Sequence, residues 1–227
     1  MKYYDLIISL GEVCFTSVTL RKLGLQQYSY PFDWSKGVLW DKCGEMGFIG
    51  KVNMIVNNFA DAFNLVDLEE FSGDFEHEFK FVRNKKTGLQ YIHDFPKDKS
   101  LEEEFPYWNT KYQRKVKRLY EKINQSSQVL FVFIALSGVL NEKEIKEAQV
   151  KLQKKFKNTS IEILILQNSE NSNNVTVKRL TNQITEYYFH NTSDIPPYFA
   201  NEELCEKIIS EYAKIKTVDI NGNKKGA

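Results

Sequence analysis

Three runs of apolar residues along the chain have the character of buried strands. Tyr3 to Leu10 (YYDLIISL) is rich in aromatic and β-branched residues and is stopped by Gly11, as expected of a strand buried on both faces. Val129 to Leu136 (VLFVFIAL) and Ile161 to Leu166 (IEILIL) have the same composition. These runs predict the central strands of one sheet.

The segments between these runs place apolar residues at helical spacing. A helix is predicted from Cys14 to Leu23, directly after the first strand, with Gly24 at its C-cap. Further helices are predicted at Thr110 to Asn124, Glu142 to Lys157 and Glu202 to Lys214. Because the helical connections are too long for hairpins, the strands that they join are predicted to be parallel.

Residues 26–110 are patterned less regularly. Within them, Glu78 to Arg83 and Gln90 to Phe95 flank an NKKTG turn, which predicts a hairpin. Two further short strands are predicted at Val175 to Leu180 and Thr185 to Phe189.

No internal repeat or Pro/Ser-rich linker divides the chain. The alternation of strands and helices therefore predicts a single three-layer α/β domain over residues 1–216, with a mostly parallel, doubly wound sheet and an irregular insertion after the first helix. Residues 217–227, which end in NGNKKGA, are predicted to form a flexible C-terminal tail.

Composition and charge exclude several classes of protein. The 31 Lys+Arg and 30 Asp+Glu residues give a net charge of +1, so the basic excess typical of nucleic-acid binding is missing. The longest apolar run, VLFVFIAL, is far shorter than the roughly 20 residues that span a bilayer. Asp5 interrupts the first apolar run and no small-residue cleavage site follows, so no secretory signal and a cytoplasmic location are predicted.

The three cysteines, Cys14, Cys43 and Cys205, are widely separated. Their spacing matches neither a disulfide framework nor a zinc site, so neither a metal nor a cofactor is predicted. Cys43 lies in a charged turn with no histidine nearby in sequence, and Cys205 lies within the last predicted helix. If the protein uses thiol chemistry, the residue to test is Cys14.

Cys14 follows the first strand at a position suited to chemistry. In an open parallel sheet, ligands bind beyond the carboxyl ends of the strands, and Gly11 to Cys14 occupies that position. A cysteine in the first turn of a helix lies near the positive end of the helix dipole, which favours the thiolate and lowers the thiol pKa. The alternative is a packing role, because free cysteine is among the most buried residue types.

A cysteine nucleophile needs a base, which is normally a histidine. His93 is the best placed of the three histidines because it ends a predicted strand, whereas His77 and His190 lie in charged or polar stretches. Asp94 or Asp33 is predicted to orient the imidazole, with a turn or cap role as the alternative for Asp33. Asp94 suits the role only if the strand has ended before it, because strand neighbours point to opposite faces.

Two further sets of residues complete the predicted site. The backbone N–H groups of Gly11, Glu12 and Val13 are predicted to hold an oxyanion. The aromatic side chains of the YPFDW turn are either core residues or the lining of a substrate pocket. They are Tyr30, Phe32 and Trp34.

Five motifs, in chain order, match a known family: SLGEVC, LRKLGL, YPFDW, YIHDFPKD and VLFV. With these motifs the chain resembles, over about residues 4–190, a bacterial and viral family described as putative papain-like cysteine peptidases, a domain of unknown function. By that resemblance Cys14 matches the proposed nucleophile and His93 the proposed base, and Asp33 and Asp94 lie inside matching motifs.

The chain departs from the pattern in three places. The residues around Cys14 lack the papain-type Cys-Gly-Ser-Cys-Trp signature. His93 follows Cys14 by 79 residues, fewer than the roughly 130 to 150 of papain-like enzymes. Phe133 stands where the family is expected to place an arginine.

Two functional hypotheses follow. The first is a thiol hydrolase or acyltransferase in which Cys14 attacks a carbonyl and His93 takes and returns the proton, with a peptide, an acyl ester or a glycan-linked acyl group as substrate. The second is an α/β module that binds a glycan or nucleotide-sugar at the same strand ends, with Cys14 only packing. The sequence predicts no oligomeric state.

Overall fold

The computed structural model describes residues 2–36, 47–60, 62–72, 78–136, 139–169, 174–190, 201–218 and 224–225. Its main sheet has five strands, of which the first four in spatial order are parallel and the last is an antiparallel edge strand. In that spatial order they are β2 (Leu6–Ser9), β7 (Gln128–Ile134), β8 (Ser160–Asn168), β10 (Ile184–Phe189) and β9 (Thr176–Thr181).

Within the described residues, five helices flank this sheet. Four of them lie in the connections between parallel neighbours, as the alternating sequence pattern predicts, and the fifth follows the last strand of the sheet in chain order. The helices are α1 (Phe15–Lys22), α2 (Phe48–Val56), α3 (Leu101–Asn124), α4 (Glu142–Lys155) and α5 (Glu202–Tyr212).

Successive side chains along the parallel strands enter two different apolar clusters, because neighbouring residues of a strand point to opposite faces. Ile7 of β2 and Leu130 of β7 pack in a cluster with α1 and α5. Ile8 and Phe131, one residue further along, pack in a cluster with α2, α3 and α4. The predicted mixed α/β class and mostly parallel sheet are confirmed, whereas the doubly wound, three-layer arrangement and the domain boundary stay predictions.

A second, antiparallel sheet comes from the less regular residues after α1. The predicted hairpin is confirmed in a shorter form, since β5 (Val82–Asn84) pairs with β6 (Gln90–Tyr91). An isolated bridge from Phe79 to Pro96 extends the pairing. In spatial order the strands are β3 (Ser35–Lys36), β6 (Gln90–Tyr91), β5 (Val82–Asn84) and β4 (Leu68–Glu70), and a 3-10 turn (Leu65–Asp67) precedes β4.

The first predicted strand is split in two at Asp5. The Asp5 carboxylate accepts hydrogen bonds from the N–H groups of Ser127 and Gln128, at 2.9 and 3.0 Å, at the start of β7. Residues before Asp5 form β1 (Lys2–Tyr4), which pairs in parallel with β11 (Ala213–Ile215) instead of joining the main sheet. The last predicted helix accordingly ends at Tyr212, two residues early.

Helix α3 begins nine residues before its predicted start. A capping box closes its N-terminus, because Ser100 Oγ accepts from the Glu103 N–H at 3.2 Å and the Glu103 carboxylate accepts from the Ser100 N–H at 2.8 Å. Pro106 lies inside the helix. The Ser-x-x-Glu pattern was the signal for this start, and apolar periodicity alone does not contain it.

The C-terminal segment is described only in part. β12 (Thr217–Val218) and β13 (Lys224–Lys225) form a short antiparallel pair, and the rest of the predicted tail lies outside the described residues. No helix in the described part of the chain is both long and apolar enough to cross a membrane.

Candidate active site

Cys14 lies between β2 and α1, as predicted, and is the N-cap residue of the helix. The Val18 N–H donates to the Cys14 carbonyl at 3.0 Å, which is the first hydrogen bond of α1. Gly11 allows the loop to turn back against the helix, because a Cβ atom at this position would lie 1.8 Å from Thr16 Oγ1. The tight loop therefore brings the thiol to the carboxyl end of a parallel strand.

The Cys14 thiol is half-buried. Burial raises its pKa, while a backbone hydrogen bond and the nearby charge of Lys51 act in the opposite direction. The expectation that the helix N-terminus lowers the pKa of this thiol is therefore wrong for the structure at rest, because desolvation outweighs the favourable electrostatics. Formation of the thiolate depends on the charges around it.

Lys51 is the residue of this site that sequence reasoning missed. Its side chain is fully buried on α2, at 0% exposure, and its Nζ donates a hydrogen bond to the Gly11 carbonyl. The ammonium lies 5.5 Å from the centroid of the Phe32 ring. Burial lowers the pKa of Lys51 to about 7, against the opposing charges of Glu12, Asp33 and Cys14. The signal in the sequence was a lysine on the apolar face of a helix.

Glu12 contributes its side chain as well as its backbone. Its carboxylate is buried and accepts the Leu136 N–H at 2.8 Å, while its own N–H donates to the Ile134 carbonyl at 3.5 Å. These bonds join the ends of β2 and β7. The Glu12 N–H, predicted to be an oxyanion donor, therefore already has an acceptor within the fold.

The other predicted oxyanion donors differ in their contacts. The Gly11 N–H donates to Ser9 Oγ at 3.4 Å, and Val13 is half-buried next to Cys14. The N–H groups of Thr16 and Ser17 lie in the first turn of α1, where the helix itself supplies no acceptor. Donors for an oxyanion are therefore concentrated at the start of the helix.

Asp33 organises the YPFDW turn. Its Oδ2 accepts hydrogen bonds from Arg21 Nη2 at 2.9 Å, Gln26 Nε2 at 2.7 Å and the Tyr30 N–H at 2.8 Å. Burial raises the pKa of the Asp33 carboxyl, while these three donors oppose the rise. The contacts are those of the turn role given above as the alternative, so a role at His93 stays a prediction.

Asp94 is predicted to suit the orienting role only if the strand ends before it. The structure meets this condition, because β6 ends at Tyr91. Its two oxygens, however, accept hydrogen bonds from Lys111 Nζ at 2.6 Å and from the Tyr112 hydroxyl at 2.8 Å. Both donors belong to α3, so the carboxylate anchors that helix. An orienting role of Asp94 at His93 also stays a prediction.

The pairing of β3 with β6, in which Ser35 lies opposite Tyr91, places His93 next to the YPFDW turn. Its half-buried ring meets Trp34 edge-on, with ring centroids 5.9 Å apart. The YPFDW turn is in turn tied to the start of α1 by Ser17, whose Oγ lies 2.8 Å from the Asp33 carbonyl and 2.9 Å from the Cys14 carbonyl. Trp34, Asp33 and Ser17 thus connect His93 to Cys14.

The family described as "Putative papain-like cysteine peptidase (DUF1796)" matches residues 5–170, most of the chain and every site residue named above. The chain belongs to this family. The predicted resemblance is thereby confirmed. Over 143 residues the chain is 29% identical to "Uncharacterized protein R408" of Acanthamoeba polyphaga mimivirus, an alignment of 56% of this chain and 60% of the viral protein. The chain thus spans less than two thirds of that relative, and no solved structure matches it.

The remaining candidate residues of this family member separate into core and surface. Tyr30 and Phe32 are fully buried, and Phe32 stacks on Phe59 with centroids 5.4 Å apart, so the core interpretation fits both. Trp34 is 36% exposed beside His93, where a ligand can reach it. Burial raises the pKa of Cys205 to about 12, which keeps this thiol inert.

Two candidates, Cys43 and His77, lie outside the described residues. His190 follows β10 and is half-buried. Within the described residues, no group of three or more His, Cys, Asp and Glu side chains is arranged to hold a metal ion. The groups that the structure places around the Cys14 thiol are the buried Lys51 ammonium and the N–H groups at the start of α1, and the imidazole of His93 stays a prediction.

Proposed function

We propose that this protein is a cysteine hydrolase with Cys14 as its nucleophile and His93 as its general base. The observation that carries the proposal is the position of Cys14, a half-buried thiol at the N-cap of α1, beyond the carboxyl end of β2. The description of the family, "Putative papain-like cysteine peptidase", supports the same chemistry. Cys205, by contrast, is fully buried in the core.

The proposed reaction has two stages. His93 takes the thiol proton, and the Cys14 sulfur attacks the substrate carbonyl to form a tetrahedral oxyanion, held by N–H groups at the start of α1. The bond to the leaving group then breaks, and the leaving group takes the proton from His93. Water, deprotonated by His93, hydrolyses the resulting thioester and restores the thiol.

The family description favours a peptide bond as the substrate. An acyl ester, a glycan-linked acyl group, or transfer to an acceptor other than water uses the same thioester intermediate. Trp34, exposed beside His93, is the proposed contact for the substrate side chain or acyl group. The doubly wound arrangement of the sheet belongs to this proposal, since such sheets bind ligands beyond their strand ends.

The test uses p-nitrophenyl acetate as an acyl donor and mass spectrometry to find the acetylated cysteine. We expect transient acetylation of Cys14 in the wild type and none in Cys14→Ala. His93→Gln should slow acetylation by about 10² to 10⁴, the usual contribution of a positioned base. His190→Gln, which removes another half-buried histidine, is the matched control and should react like the wild type. Equal rates in His93→Gln and the wild type would exclude His93 as the base.

In the alternative, a binding module for a glycan or nucleotide-sugar, Cys14 only packs. One observation is consistent with that packing role: burial raises the pKa of the Cys14 thiol. A protein of that kind leaves Cys14 unacetylated in all variants. It should also gain thermal stability from a nucleotide-sugar such as a uridine diphosphate hexose, because a ligand that binds only the folded state raises the melting temperature. Acetylation without thermal stabilisation would exclude this alternative.

A further inference from the structure

We propose that Lys51 is a positioning residue for Cys14: it fixes the loop before the nucleophile through the Gly11 carbonyl and provides the positive charge opposite which the Cys14 thiolate forms. The inference deepens the proposed function and rests on it. It assigns to α2, a helix that carries none of the predicted site residues, a direct part in the site.

The first support is the cost of burying Lys51. An ammonium with no access to solvent costs several kcal/mol unless it meets compensating groups. Val52 and Ile55, its neighbours on the same face of α2, are also fully buried and fill the core with apolar atoms alone. An apolar side chain at position 51 would therefore pack without that cost, so the ammonium is explained by what it contacts.

The second support is the position of its hydrogen-bond acceptor. Lys51 Nζ donates to the carbonyl of Gly11, three residues before Cys14 and in the loop that sets the direction of α1. The same loop is constrained from the other side by Thr16, which leaves no space for a side chain at Gly11. The loop is thus held by Lys51 at the Gly11 carbonyl and by the first turn of α1 at the Gly11 Cα.

The third support is the set of charges around the ammonium. Glu12, Asp33 and Cys14 are the groups whose negative charge acts on Lys51. The Glu12 carboxylate already accepts the Leu136 N–H, and Asp33 Oδ2 already accepts three donors. Cys14 is therefore the group of the three that gains a negative charge only during the reaction.

The interaction of the two charges is mutual. The ammonium of Lys51 lowers the pKa of Cys14, and a thiolate at Cys14 raises the pKa of Lys51. In a poorly solvated site such a pair is strengthened, because the effective dielectric constant is low. In this arrangement His93 moves the proton. The thiolate favours the charged form of Lys51, and the ammonium in turn holds the thiolate in place.

The test is the pH dependence of Cys14 alkylation by iodoacetamide, followed on the Cys14 peptide by mass spectrometry in the full-length protein. Lys51→Met should raise the midpoint of alkylation by at least about one pH unit, which is about tenfold slower alkylation near neutral pH. Lys51→Arg, which keeps the charge, should recover part of the shift. Lys115→Met removes another buried lysine and should leave the midpoint at the wild-type value.

The outcomes separate this inference from the proposed function. A midpoint unchanged in Lys51→Met, in a protein whose Cys14 is acetylated with the help of His93, overturns the role of Lys51 alone. A shifted midpoint in a protein whose Cys14 is never acetylated overturns the hydrolase and keeps the charge pair. If Lys51→Met does not fold, Lys51→Arg decides, since a displaced charge must still shift the midpoint if Lys51 acts on the thiol.

Discussion

Two buried lysines, Lys51 on α2 and Lys115 on α3, differ in the groups that surround their ammonium. Burial lowers the pKa of Lys51 to about 7 and that of Lys115 to about 8. Lys51 donates to the Gly11 carbonyl. Lys115 Nζ has no hydrogen-bond partner among the described residues and lies 4.2 Å from the centroid of the Tyr112 ring.

The neighbours of the two lysines explain the difference. Asp33 acts on both, and beyond it Lys51 faces Glu12 and Cys14 whereas Lys115 faces Asp94. The charged neighbours of Lys115 are carboxyl groups and the cations Lys111 and Arg21, while Lys51 also faces a thiol, which ionises in the proposed reaction. A buried cation becomes relevant to chemistry through its neighbours rather than through its burial.

The largest expected effect is on the pH dependence of stability. The folded pKa of Lys51, about 7, lies below its ordinary value of 10.5, so between these values the unfolded chain binds more protons. The free energy of unfolding should therefore rise with pH across this window. At about 1.4 kcal/mol per pKa unit, the rise due to Lys51 is up to about 5 kcal/mol, and that due to Lys115 is smaller.

Urea unfolding of the wild type, Lys51→Met and Lys115→Met between about pH 6 and pH 10 checks this prediction. Each substitution should remove its own part of the rise, from about pH 7 for Lys51 and from about pH 8 for Lys115. The free energy of unfolding of both variants should exceed that of the wild type by the largest amount at the acidic end of this pH range. A Lys51→Met protein with the full wild-type slope would show that the ammonium is not desolvated as its burial requires.

The next effect concerns the carboxylate that the two lysines share. Asp33→Asn should lower the free energy of unfolding by about 3 to 5 kcal/mol, because it breaks the ion pair of a buried carboxylate with Arg21 and removes one of the negative charges that act on Lys51 and Lys115. Asp94→Asn should cost about 1 to 3 kcal/mol. The Asp94 carboxylate accepts two hydrogen bonds, whereas that of Asp33 accepts three, so fewer donors lose their partner.

Urea unfolding at one pH compares these two variants directly. Equal losses in Asp33→Asn and Asp94→Asn would contradict the view that Asp33 serves both lysines. An additional readout is the pH slope of stability, which should become steeper at its acidic end in Asp33→Asn than in the wild type. Without this charge the pKa of both lysines falls further, so the folded protein binds fewer protons at that end of the range.

The smallest effect tests the acceptor of Lys51. Gly11→Ala should cost about 1 to 3 kcal/mol, since its Cβ would collide with Thr16 and displace the loop. Gly24→Ala is the matched control: Gly24 has a φ of +68° in open space, so this variant should cost only about 1 kcal/mol, for backbone strain alone. Only Gly11→Ala should also change the alkylation midpoint of Cys14. A shift of that midpoint in Gly24→Ala would point to a general loosening of the fold.

Apolar periodicity alone predicted most of the secondary structure. β7, β8, α4 and the parallel order of the strands match their predictions, because these patterns reflect local geometry. The start of α3 and the break at Asp5 do not, because each depends on hydrogen bonds of a single polar side chain, Ser100 or Asp5. Apolar spacing contains no information about such bonds.

For the site, the sequence by itself determined that Cys14 follows a strand and begins a helix, since strand, glycine and helix are adjacent in the chain. Only the tertiary structure decided which charges surround the thiol. Lys51, on another helix, donates a hydrogen bond to the loop before Cys14. Asp33 accepts a hydrogen bond from Arg21, and Asp94 accepts one from Lys111 of α3. Local patterns specify elements, whereas burial and electrostatic neighbours arise from packing between segments that are distant in sequence.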